Sequence, residues 1–191
     1  MTDRNKVVSV TRDVTPAFDL CATGRYALDK AQTTKEGSFL ELLTAVLMAA
    51  LTFEAFLNQA GLRVWGGESA IWRAIERRHP MAKLEAIEEQ VGFRLDPGQR
   101  PLQTVATVCR LRNDIVHARP RHFEAEIPES VAAETPMLAG VKEVSPEWEM
   151  ACTREFAQKA LDDVTEVAEA VSERIGMTNP LHFGGMTMRS G

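Results

Sequence analysis

The run LLTAVLMAALTFEAFL, residues 42–57, constrains this chain more than any other segment. From Leu42 to Leu62 its only charged residue is Glu54. A stretch this apolar has to be buried in protein or lie in a bilayer. A crossing needs about 20 apolar residues and penalises a central acid. The run is shorter than that and holds Glu54, so it is expected to be the buried helix of a soluble protein, cytoplasmic and without membrane contact.

The rest of the sequence follows the same helical period, and no strand-like alternation lasts. Helices are expected at about Pro16 to Gln32 (weakened by Gly24) and Gly37 to Ala60, with Gly61 as the stop. Others follow over AIWRAIERRH, over MAKLEAIEEQVG after Pro80, and over 98–117. Residues 118–145 hold Pro120, Pro128 and Pro136 and read as one long loop, either functional or disordered. A last helix should start with Ser145 as N-cap and Pro146 at the first helical position, and end at Gly176. Its apolar residues Phe156, Ala160, Val164, Val167 and Val171 recur at helical spacing. The expected fold is all-α, an up-and-down helical bundle of about five helices with one long loop before the last. The domain should span 16–176, between a flexible arm (1–15) and a flexible tail (177–191).

Bulk properties exclude several functions. The net charge of −5 rules out a uniformly cationic surface, so any nucleic-acid contact has to be local. Cys21, Cys109 and Cys152 are single and far apart, which argues against a disulfide frame or a zinc site and for core thiols. MTDRNKVVSVTRDVTP has no apolar core, so no secretion signal is expected. Trp65, Trp72 and Trp148 read as core or interface anchors.

The segment RLRNDIVHARP (110–120) concentrates charge at the end of an apolar helix. At about 100° per residue, Leu102, Val105, Val108, Cys109, Leu111, Ile115 and Val116 form one apolar arc. Gln103, Thr107, Arg110 and Asp114 lie opposite. Arg112 falls inside the apolar arc, where a guanidinium needs a partner. Glu54 is the natural one, with Asn58 one turn later and Asn113 completing a polar island. Such a pair fits a structural register lock and an active site equally well; a second possibility is that the Arg stripe is an interface whose partner comes from another chain.

Arg112-Asn113-Asp114-Ile115-Val116-His117 at a helix end resembles the motif of the HEPN superfamily. FEAFLNQAG (53–61), MAKLEAI and the final helix occur in the family's order, and the resemblance covers roughly residues 37–120. RAIERRH also satisfies the loose spacing with Arg73 and His79, but lacks the Asn and meets Pro80, so it reads as a solvated helix end. The resemblance implies a dimeric, metal-independent endoribonuclease of toxin or phage-defence type. Arg112 would hold the scissile phosphate, His117 would carry the proton, Asn113 would assist, and Glu54 and Asn58 would support them. Arg110, Arg119, Arg121 and His122 would form an RNA-binding rim. No metal or cofactor is expected, and RNA, a second copy and an antitoxin or other protein are the expected partners. Some HEPN toxins carry a Tyr two residues after the His; here Arg119 stands there, so control by nucleotidyl transfer is not implied. The alternative is a non-catalytic HEPN-like dimerisation and partner-binding module, and a weaker one a nucleotide-binding helical domain without hydrolysis.

Overall fold

The computed structural model describes residues 10–12, 15–33, 38–120, 122–126, 128–130, 144–178, 181 and 186–188. Its organising element is α2 (Ser38–Trp65), 28 residues long. Around it stand α1 (Pro16–Thr33), α3 (Ala70–Ile75), α4 (Pro80–Val91), α5 (Leu102–Val116), α6 (Glu147–Ala151) and α7 (Arg154–Arg174). Among the described residues the regular structure is thus helical, apart from a small ribbon in which β1 (Val10–Arg12) pairs antiparallel with β2 (Met186–Met188).

α2 is in contact with α1, α3, α4, α5 and α7, while α7 also packs on α1 and α5. Phe53, Phe56 and Leu57 of α2 are fully buried against Val105 and Val108 of α5, Leu84 and Ile87 of α4, and Leu161, Val164 and Val167 of α7 in one core. The 3.6-residue period of each apolar stripe puts these side chains on a single inward line, and their burial drives the packing.

Three boundaries differ from those expected. α2 runs straight through Gly61 and ends before Gly66, whose φ is 79°. Gly61 is there for room: a Cβ on it would lie 2.1 Å from the Trp72 ring. Trp72, buried on α3, stacks on Trp65 at 5.9 Å. The last helix does not start at Ser145. Pro146 caps only the five-residue α6, and the chain breaks at Cys152 before Thr153 accepts the Phe156 N–H as N-cap of α7. α5 begins at Leu102 rather than at residue 98.

At 28 residues α2 also overturns the argument that the apolar run is too short to cross a membrane. Its length and composition, with a mean hydropathy of 1.8, are sufficient by themselves. Glu54, however, is bound by side chains from two other helices.

Candidate functional site

The wheel argument for α5 holds along most of its length. Leu102, Val105, Val108, Cys109 and Leu111 are buried and Gln103, Arg110 and Asp114 are exposed. It fails in the last turn, where Val116 is 61% exposed because the helix end projects beyond the core.

Arg112 leaves the buried face of α5 toward α2. Its Nη2 donates to Glu54 Oε2 at 2.9 Å and its Nη1 to Asn113 Oδ1 at 2.8 Å. The second carboxylate oxygen of Glu54 lies 3.6 Å from Lys83 Nζ, which donates to Asn58 Oδ1 at 2.7 Å. Three helices therefore share one polar chain running Asn113, Arg112, Glu54, Lys83, Asn58. Lys83 is only 1% exposed at its inner end, whereas Arg112 and Glu54 are a little over a quarter exposed. Arg112 uses two of its five N–H donors on described residues, which leaves the others for a ligand at the open edge.

Lys83 is the member that sequence reasoning missed as a site residue. On α4 the buried positions are Pro80, Lys83, Leu84, Ile87 and Glu88, a helical stripe carrying two charges. A lysine on an apolar stripe needs a partner for the same reason as Arg112. Glu88, the second charge, accepts the Leu95 N–H at 3.0 Å, and burial raises its carboxyl above the usual range.

Cys109, one turn before Arg112, takes no acid–base part. Burial, reinforced by Glu54, pushes its thiol up to about 12 against a smaller opposing effect of Arg112. The thiolate, the reactive form, is thereby excluded at neutral pH.

His117 is the C-cap of α5, with its backbone N–H on Asn113 O at 2.9 Å. Its ring is exposed and bonds to no side chain among the described residues. Arg112 and His117 are thus not brought into contact within one copy.

The expected rim is only partly available. Arg110 is held by both oxygens of Glu147, at 2.6 and 2.8 Å, and by Asp114 at 3.5 Å. This clamp holds the Glu147 carboxyl below the usual range, first through the hydrogen bond and then through charge. His122 meets Glu124 at 3.0 Å. Arg119 is exposed and faces a cleft beyond the helix end. Arg121 lies outside the described residues. The competing match behaves as a helix boundary: His79 caps α4 by accepting the Met81 N–H, and Arg73 pairs with Glu68. Among the described residues no three His, Cys, Asp or Glu side chains form a group able to hold a metal ion.

No protein-family model, no curated protein and no solved structure matches this chain.

Proposed function

We propose that this chain is a HEPN-like, metal-independent endoribonuclease of toxin or phage-defence type, an up-and-down bundle working as a cytoplasmic homodimer. The observation that carries the reading is the clamp on Arg112. A guanidinium fixed on Glu54 and Asn113, with spare donors at an open edge, is preorganised for a phosphate. Five residues on, an exposed His117 supplies an imidazole, a side chain able both to accept and to donate a proton.

In this reading the 2′-hydroxyl of RNA attacks the adjacent phosphorus and the P–O5′ bond breaks. The products are a 2′,3′-cyclic phosphate and a 5′-hydroxyl. One His117 accepts the 2′ proton, and a protonated His117 from a second copy delivers one to the departing 5′ oxygen. Arg112 stabilises the charge that builds on the non-bridging oxygens. Asn113, whose Oδ1 is occupied by Arg112, offers its amide N–H to the imidazole or to phosphate. Glu54, backed by Lys83 and Asn58, keeps the fork from swinging.

The test is cleavage of a mixed RNA pool in EDTA by wild type and His117→Ala. A positioned acid–base group is worth about 10²–10⁴-fold, so the variant should lose activity by that factor while keeping its helical circular dichroism. Wild type that cuts nothing, or a variant that cuts equally well, refutes the reading. Val116, apolar and 61% exposed between Asn113 and the tail of the motif, favours a second reading, a non-catalytic dimerisation and partner-binding module. There His117→Ala alters stability alone.

A further inference from the structure

One residue past His117 the chain enters a cleft of about 510 Å³ between the end of α5 and α6, with Ala118 on its wall. That volume lies within the range of small-ligand sites. Its lining combines two aromatic rings, Phe123 and Trp148, one cation, Arg119, and three carboxylates, Asp114, Glu147 and Glu149. The carboxylates are not equivalent. Glu147 and Asp114 are both engaged by Arg110. Glu149 is half-buried and has no side-chain partner among the described residues. Phe123 is 39% exposed, an aromatic face left open to the cleft's surroundings, and Trp148 is packed on Phe39 at 6.4 Å.

Aromatic rings beside one unengaged carboxylate select among nucleobases. Stacking on a ring is worth about 1–3 kcal/mol per base and is tolerant of sequence. The carboxylate only accepts hydrogen bonds. Guanine alone presents two adjacent donors, N1–H and N2–H, on its pairing edge, matching both carboxylate oxygens. Adenine and cytosine place a ring acceptor beside their amino group, and uracil flanks its single N–H with two carbonyl oxygens. Both arrangements bring acceptors against the carboxylate.

The geometry points to a guanine subsite: the cleft takes one unpaired guanine base, which donates to Glu149 between the rings of Trp148 and Phe123, with Arg119 on a neighbouring phosphate. The choice of RNA as the polymer rests on the ribonuclease reading; the preference for guanine rests on the cleft. The subsite lies directly after the proposed catalytic His117, so cuts should fall next to guanine.

The test is fluorescence anisotropy of the full chain with 2′-O-methyl pentamers that cannot be cut: UUGUU, UUAUU, UUCUU and UUUUU. UUGUU should bind about 10-fold more tightly than the others, as expected for a hydrogen-bonded pair to a charged group. Glu149→Gln, which puts an amide N–H in place of one acceptor, should make the four equal. Arg119→Ala should weaken all four by a similar factor and leave the preference intact. Equal binding of the four by wild type, a preference that survives Glu149→Gln, or no binding at all overturns the subsite. Cleavage of the RNA pool without regard to guanine overturns the subsite and leaves the ribonuclease reading. Guanine-selective binding by a chain that cuts nothing does the reverse.

Discussion

Replacing Glu54 by Gln tests the polar chain at its centre. Gln keeps the volume and one acceptor for Arg112, but it removes the charge facing Lys83. At 3.6 Å and an effective dielectric constant of about 20, two unit charges attract by about 4.6 kcal/mol. Glu54 is 28% exposed, so returning water offsets much of that, and a net loss of about 2 kcal/mol is expected. Arg112 contributes little to the loss, because it reaches solvent and can rehydrate. Lys83 cannot; at 1% exposure it is left with Asn58 alone. With a urea dependence of about 2 kcal/mol per molar, the midpoint followed by circular dichroism should fall by about 1 M. Adding Lys83→Met removes the stranded cation, so the double variant should regain about 1 kcal/mol over Glu54→Gln. A midpoint change below about 0.2 M, or a double variant weaker than the single, would refute the claim that charge pairing holds this site.

Gly61→Ala places a methyl 2.1 Å from the Trp72 ring, and α3 has to move away from α2. A loss of about 2–3 kcal/mol is expected, read as a lower thermal midpoint with altered near-ultraviolet dichroism. Thr153→Ala removes the acceptor for the Phe156 N–H at the start of α7 and should destabilise by about 1 kcal/mol in urea. Glu88 titrates with the opposite sign from an ion-paired acid. Its folded-state value is raised by burial, so its contribution is complete below the ordinary glutamate range and is lost as pH rises through the raised value. Glu88→Gln, which keeps an acceptor for Leu95, should therefore be more stable than wild type at neutral pH, with the gap closing toward about pH 4.

The sequence shows the helical class of this chain plainly, because apolar spacing repeats in every long segment. It also exposes Glu54 and Arg112, since each is a lone charge on a face that has to be buried. Lys83 was equally legible in principle, lying on the same stripe as Leu84 and Ile87. Gly61 misled because a glycine that ends a helix and one that admits a ring are identical in one dimension. Trp72 lies eleven positions further on, and only the fold brings the two together. Thr153 was hidden behind Ser145-Pro146, a strong start signal that the chain uses for a single turn before breaking at Cys152. The charges of the rim were countable in sequence, but not their pairing. Arg110 meets Glu147 from a segment 37 residues away.

The place of α2 in this core has a consequence for biosynthesis. α2 is complete at Trp65, yet α7, which closes over it, is finished only at Arg174. At about 5–20 residues per second, a ribosome leaves the most apolar helix without its last cover for about 5–20 s. Val46, Phe53 and Phe56 are the side chains a trigger-type chaperone would meet in that interval. Force profiles from arrest-peptide fusions should show one late release, when residue 174 clears the exit tunnel. An early release after α5 would mean that the first five helices close a core by themselves.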